Sequence, residues 1–322
     1  MNARRVLVTG ANGQLARPIV DFLRRDGFEP LLLARNDFKH DPKWRTVIVR
    51  DQWTCEGIAR LIHSEAIDAI VNLAGAGIRP GGTDFGTLFE ANVALPARLL
   101  KAGSKRVRAF INIGSGAEYA GVQSVQLAED AVLGLTHPYG LSKAAGGLAS
   151  KQVADDIGIA FAHLRLFGVY GEHEAAHRLL PSLLARLPRG VPAPMSDGLQ
   201  VRDWLYEEDV GAAVSTALGR LLDGHMPGGI YNLGSGEGVT VRRFAETVAA
   251  LLQAPASLLQ FGAIDRRSRE TNVLVADPRS FQAATDWRPA HSLDTGLSIA
   301  IDRFRATSGE PTEGSFDAEE GS

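Results

Sequence analysis

Between residues 5 and 113 the chain alternates short, continuously apolar runs with stretches whose apolar residues recur at helical spacing, and this alternation leaves few folds open. Residues 5–9 read as a buried strand, after which Leu15, Ile19, Phe22 and Leu23 share one helical face. Residues 30–34 and 47–49 read as the second and third strands. Ile58, Leu61 and Ile62 mark another helix, and residues 70–73 and 110–113 are two further strands. Runs without polar alternation belong to strands covered on both faces, so this order predicts a parallel sheet with helices on each side.

The second half is less regular. Pro181, Pro188, Pro192 and Pro194 interrupt any long helix there, residues 229–233 read as a strand and residues 239–252 as a helix. From about Ala306 the apolar content collapses, and Glu310, Glu313, Asp317, Glu319 and Glu320 have no compensating base. This predicts a disordered acidic tail over residues 306–322. A chain of 322 residues suits one large α/β domain or two closely joined ones. A net charge of −3 gives no electrostatic footprint for nucleic acid or an anionic membrane. There is no apolar run of about 18 residues to span a bilayer, and the apolar run near the N-terminus is too short for the core of a signal peptide. Cys55 is the single cysteine and permits no intramolecular disulfide, so a cytoplasmic setting is expected.

The turn between the first strand and the first helix reads Thr9-Gly10-Ala11-Asn12-Gly13-Gln14-Leu15-Ala16. Free N–H groups and the helix dipole make such a helix start a site for a dinucleotide pyrophosphate. Gly10 permits a sharp turn, Gly13 a close backbone approach, and Ala16 tight packing of helix on strand; Asn12, Gln14 and Leu15 complete the candidate cofactor contacts. The expected fold class is thus α/β, a Rossmann-type doubly wound parallel sheet. At the end of the second strand an acid would bind the adenosine ribose of NAD. This chain has Ala34-Arg35-Asn36 there, with Asp37 slightly late, and Arg35 suits the 2′-phosphate of NADP. NADP is therefore expected ahead of NAD.

Tyr139 and Lys143 stand four apart, so on a helix both reach the same side. A free phenol is too weak an acid to serve as a base at neutral pH, whereas a neighbouring ammonium and an oxidised nicotinamide ring favour the phenolate. Tyr139 can then exchange a proton with a substrate hydroxyl while hydride moves to or from the ring. Ser115, just after the strand at 110–113, can hold the same oxygen by hydrogen bonding.

Residues 9–16, Asn72-Leu73-Ala74-Gly75, Asn92-Val93, residues 113–119 and residues 138–143 resemble, in order, the extended short-chain dehydrogenase/reductases of the nucleotide-sugar epimerase/dehydratase family. The series continues through Arg165-Leu166-Phe167-Gly168-Val169-Tyr170-Gly171 and Gln200-Val201-Arg202-Asp203-Trp204 with Glu208-Asp209-Val210. It ends with Tyr231-Asn232-Leu233-Gly234-Ser235-Gly236 and Asp286-Trp287-Arg288-Pro289, so the resemblance covers residues 4 to about 305. It implies an NAD(P)-binding domain over residues 1–168 with a return segment at about 203–236, and a smaller α/β C-terminal part, mainly substrate-binding, over 169–305. It also implies a catalytic triad of Ser115, Tyr139 and Lys143, cofactor contacts at Leu73, Ala74, Gly75 and Asn92, and an adenine-contacting acid at Asp51. The implied partner is a nucleotide-diphosphate sugar, held through Arg202 and Arg267 with Glu118 and Glu270 as further substrate contacts, and the implied assembly is a homodimer. Arg269-Glu270 stands where the family usually has Gly-Asp.

Dehydratases of the family place acids at the two positions after the serine. Here these are Gly116 and Ala117, and Glu118, one step later, would point to the other side of an extended segment, so dehydration is not expected. The resemblance leaves a reductase that uses NADPH on a 4-keto sugar, favoured by Arg35, and a 4-epimerase that keeps NAD bound. His173 or His177 would supply a second acid in an epimerising reductase. His173-Glu174-Ala175-Ala176-His177 also matches the zinc-protease pattern, which works when a helix turns both imidazoles to one metal. Its place inside the family-like run argues against that reading, and no metal is expected. A non-catalytic NADP-binding regulator would keep the glycine-rich turn but need no triad, so the intact triad argues against it.

Overall fold

The apolar runs of the first half form strands of one parallel sheet, each covered by helices on both faces. The computed structural model describes residues 4–38, 40–50, 53–77, 83–122, 124–134, 136–266 and 270–308. In chain order the sheet region contains β1 (Arg4–Thr9), α1 (Ala16–Arg25), β2 (Phe28–Ala34), β3 (Arg45–Ile48), α2 (Cys55–Ser64) and β4 (Ala69–Asn72). There follow α3 (Phe85–Phe89), a π-helical turn (Glu90–Ala94), α4 (Leu95–Gly103), β5 (Ala109–Ile113), α5 (Pro138–Ile157) and β6 (Ala160–Leu166). The remainder runs β7 (Gly168–Tyr170), α6 (Leu179–Arg186), β8 (Ala193–Met195), β9 (Val201–Tyr206), α7 (Glu207–Leu222) and β10 (Gly229–Leu233). It closes with β11 (Gly238–Thr240), α8 (Val241–Leu251), β12 (Leu259–Phe261), β13 (Val273–Leu274), α9 (Arg279–Thr285) and α10 (Leu293–Ser308).

The main sheet has the order β10-β6-β5-β4-β1-β2-β3 with every pair parallel. Side chains alternate between its faces. Val6, Val8, Leu32, Ile111 and Leu164 pack with α1 and α7 residues such as Ile19, Leu23, Val210 and Val214. Leu7, Leu31, Leu33, Ile70 and Phe110 pack with Ile58 and Ile62 of α2, Leu99 and Leu100 of α4 and Ala154 of α5. Both faces are therefore apolar, which is why these strands read as continuous apolar runs. The winding direction reverses between β1 and β4, and ligands of such sheets bind outside the C-terminal strand ends at that reversal.

The C-terminal part has its own core, built from Leu180, Leu183 and Leu184 of α6, Phe244 and Val248 of α8, and Leu297 and Ile301 of α10. It surrounds β9, which pairs with β7, β11 and β13, beside a separate β8–β12 pair. Two local expectations change. Val239 and Thr240 are extended, because they pair with Arg202 and Val201 of β9, and the helix starts only at Val241. Thr240 caps it by accepting the Arg243 N–H at 3.0 Å. Helix α10 runs to Ser308, slightly beyond the expected start of the tail at Ala306; the acids of that tail lie outside the described residues. No helix among the described residues is long and apolar enough to cross a membrane.

Candidate active site

The glycine-rich turn leaves β1 at the reversal point. Gly10 has φ +71°, and a Cβ there would lie 2.6 Å from the Ala74 amide nitrogen, so both its backbone conformation and its neighbours require glycine. The turn closes with Gly13 N–H donating to Gly10 O at 2.9 Å and Ala16 N–H to Gly13 O at 3.1 Å. Ala16 is buried and starts α1, and no side chain caps that helix. Its N-terminal partial charge is thus directed at whatever occupies the cleft above the turn.

That cleft measures about 990 Å³. It brings together Gly10, Asn12 and Gly13 from the first turn, Arg35 from the end of β2, and Leu73, Ala74 and Gly75 from the end of β4. Arg35 is exposed at its lip, and no hydrogen bond or ion pair joins it to another described residue. Asp37, the late acid of the same segment, pairs with Arg50. Trp53, Asp84, Glu90 and Arg98 also line the cleft and had not been singled out from sequence, since they come from helices and loops without a local signature.

Other expected cofactor residues make their contacts within the protein. Gln14 turns to Glu207, donating through Nε2 at 3.3 Å, and Leu15 packs against the core. Asn92 is buried. Its Oδ1 accepts the Ala76 N–H at 3.0 Å, and its Nδ2 donates to Ala76 O and to Ser142 Oγ, both at 2.9 Å, so it pins the loop after β4 to helix α5. Asp51 lies outside the described residues.

Tyr139 and Lys143 sit one turn apart near the start of α5, as the spacing predicts. Pro138 opens that helix and His137 caps it, accepting the Tyr139 N–H through Nδ1 at 3.2 Å. Lys143 Nζ donates to Ile113 O at 2.9 Å, which anchors the ammonium at the C-terminal end of β5. Ser115 follows directly, and its Oγ accepts the Ala117 N–H at 3.2 Å. Helix α5 docks on this segment at Gly140, where a Cβ would meet Ala117 O at 2.1 Å. The three expected catalytic residues therefore project from two tightly joined elements at the C-terminal end of β5, an internal strand of the sheet.

The expected substrate contact at Glu118 is corrected. Residues Gly116–Tyr119 form a 3₁₀ turn, not an extended segment, and the turn drives Glu118 inward until it is fully buried. Its Oε1 accepts the Ser115 N–H at 2.9 Å and lies 3.0 Å from His163 Nε2, and its Oε2 accepts from Arg165 Nε at 2.8 Å. Glu118 is thereby removed from any substrate. Arg202 and Glu270 pair with each other at 3.0 Å, partly buried beside β13 in the C-terminal part. Arg267 lies outside the described residues.

The segment carrying His173, Glu174 and His177 is not helical, so it does not present two imidazoles to one point. His173 Nδ1 hydrogen-bonds Glu207, which holds the imidazole above its ordinary pKa, while His177 is exposed. Ligand atoms of Glu172, His173 and Glu207 do lie within 4.8 Å of one another, with Glu172 also accepting from Arg303 at 3.0 Å. Burial pushes the Glu174 carboxyl up to about 7, against the opposing charge of Arg178. Because the folded-state pKa is raised, this group's contribution is complete below about 4.5 and is lost as pH rises through 7. Glu174→Gln cannot ionise, so its melting temperature relative to wild type is expected to be a few degrees higher at pH 8 than at pH 5. Parallel melting curves at the two pH values check this; an unchanged difference contradicts it.

Comparison with known proteins is consistent with this geometry. The model of the NAD dependent epimerase/dehydratase family matches residues 6–234. An uncharacterized UDP-glucose epimerase of Bacillus subtilis (strain 168) is 26% identical over 92% of this chain and 96% of its own length. A dTDP-4-dehydro-6-deoxyglucose reductase of Escherichia coli is 26% identical over 67% of this chain and 66% of its own. The solved UDP-glucose 4-epimerase of Thermus thermophilus, in complex with NAD, superposes with a TM-score of 0.80 at 26% identity, covering 94% of this chain and 99% of that one.

Proposed function

Because the chain belongs to the NAD dependent epimerase/dehydratase family, we propose that it is an NADPH-dependent reductase of a nucleotide-linked 4-keto sugar, with Ser115, Tyr139 and Lys143 as its catalytic group. The observation that carries the reductase reading is Arg35. It stands exposed at the lip of the cleft without an ionic partner among the described residues, and Asp37, the acid that would otherwise serve a ribose diol, is engaged by Arg50. The obligatory glycine at position 10, the uncapped start of α1 and a cleft of about 990 Å³ suit a dinucleotide with its pyrophosphate at the turn.

Held by the turn at Gly10 to Gly13 and by Arg35, NADPH would supply the hydride that reduces C4 of the sugar. Tyr139 gives its hydroxyl proton to the oxygen that gains charge at C4. The Lys143 ammonium, anchored on Ile113 O, offsets the negative charge left on the phenol oxygen. Ser115 Oγ only accepts among its described contacts, from the Ala117 N–H, so its own proton is available to the same substrate oxygen. Gly116 lies against the Phe167 ring, 3.0 Å from where a Cβ would be, and Ala117 is apolar, so neither of these two positions carries an acid to expel a neighbouring hydroxyl.

The second reading, a 4-epimerase that keeps NAD, uses the same three residues and is favoured by the likeness to UDP-glucose epimerases. Native mass spectrometry of the purified protein separates them. The reductase reading expects a chain that arrives without dinucleotide and takes up NADPH; a chain that arrives carrying NAD and exchanges none of it supports the epimerase.

A further inference from the structure

Four neighbouring strands of the main sheet each bury one polar side chain at the same level. Thr9 of β1, Asn72 of β4, Asn112 of β5 and His163 of β6 are register partners in turn, and none is more than 3% exposed. They are hydrogen-bonded in sequence. Thr9 Oγ1 donates to Asn72 Oδ1 at 2.6 Å, Asn72 Nδ2 to Asn112 Oδ1 at 2.7 Å, and Asn112 Nδ2 to His163 Nδ1 at 3.0 Å. With Nδ1 accepting, the ring carries its proton on Nε2, which faces Glu118 Oε1 at 3.0 Å. Every donor in this chain points toward Glu118.

The two ends of the chain lie at two parts of the site. At one, Thr9 Oγ1 accepts the N–H of Ala74, which lines the cofactor cleft, at 3.2 Å. At the other, Glu118 Oε1 accepts the N–H of Ser115 at 2.9 Å, while Arg165 Nε fixes Oε2 at 2.8 Å. Glu118 is fully buried, and Arg165 Nε, His163 Nε2 and the Ser115 N–H all face its two oxygens, so the carboxylate is held by three donors. A buried ion pair is a poor device for stability alone, since apolar residues of similar volume serve as well or better. A fully connected buried network does fix geometry.

We propose that Glu118 is a positioning residue for Ser115: its buried carboxylate, oriented by Arg165 and by the hydrogen-bond chain from Thr9 through His163, sets the backbone of the turn from which the Ser115 hydroxyl is presented to the substrate oxygen. This rests on the reading that Ser115 is catalytic. Glu118→Gln keeps the shape but aims an amide donor at either Arg165 or the Ser115 and His163 donors, so the turn must shift. The expected result is a fall in kcat of about 10- to 100-fold, with KM and NADPH affinity unchanged, because the displaced group acts on the reacting oxygen and not on binding.

The experiment is a double-mutant cycle of Glu118→Gln and Ser115→Ala on the full chain. If Glu118 acts through Ser115, Glu118→Gln lowers kcat in the wild-type background and adds nothing in the Ser115→Ala background. Equal losses in both backgrounds, or an unchanged kcat for Glu118→Gln alone, overturn the proposal. An unchanged kcat for Ser115→Ala overturns the catalytic reading instead. Should Glu118→Gln not fold, the pair Glu118→Leu and Arg165→Met, which removes the two opposite charges together, takes its place with the same expected dependence on Ser115. If neither folds, the cluster is structural and the proposal falls.

Discussion

Tyr139→Phe is expected to lower kcat by roughly 100- to 10,000-fold, the range for removing a general acid–base group. Only the hydroxyl is removed. The contact that Tyr139 makes with the His137 cap uses its backbone N–H, and the neighbouring Ser142 Oγ donates to its backbone carbonyl at 2.8 Å, so α5 and its docking through Gly140 stay as they are. Lys143 keeps its anchor on Ile113. NADPH affinity and melting temperature should therefore match wild type while turnover collapses. Steady-state rates together with a cofactor titration check this; a variant that keeps roughly a third of the wild-type rate contradicts the role of Tyr139 as proton carrier.

Arg35→Asp is expected to move cofactor preference from NADPH toward NADH. A guanidinium can pair with a 2′-phosphate through two N–H groups, whereas a carboxylate repels that phosphate and accepts from a ribose diol. A hydrogen bond to a charged group contributes about 1.5–3 kcal/mol, or roughly one to two decades in the ratio of affinities. The two dissociation constants should move in opposite directions, and turnover at saturating cofactor should persist because the catalytic group is untouched. Arg35 is exposed, so the NADPH arm should weaken with added salt. If wild type binds NADH more tightly and the substitution moves neither constant, Arg35 is a solvated loop residue and the epimerase reading gains.

The legible parts of this molecule are those whose cause is local. β1, β2, β4 and β5 announce themselves because each is apolar on both faces. Gly10 is legible because only glycine suits its turn, and Tyr139 and Lys143 because one helical turn separates them. Ser115 is legible as a hydroxyl placed just after a strand, and the family resemblance adds its place in a triad. What stayed hidden is set by distant partners. Glu118 is drawn inward by His163 and Arg165, which lie 45 and 47 positions along the chain, and nothing beside it forecasts the 3₁₀ turn. Asn72 and Asn112 stand inside strands that are otherwise apolar, and their join to Thr9 and His163 exists only once the register is set. Val239 reads as helix until β9 claims it as a strand partner. The His173-to-His177 pattern misleads in the other direction, because the helix that gives such a pattern its meaning does not form.

The proposed reduction delivers hydride directly to the sugar, with the proton from Tyr139. It is tested by incubating the protein with NADPH deuterated at the transferred position and a nucleotide-linked 4-keto sugar, then locating the label by mass spectrometry and NMR. The expected product carries one deuterium at C4 for each NADP formed, and the Tyr139→Phe protein forms neither at a comparable rate. An unlabelled sugar with no NADP formed, across UDP-, dTDP-, CDP- and GDP-linked 4-keto sugars, contradicts the account.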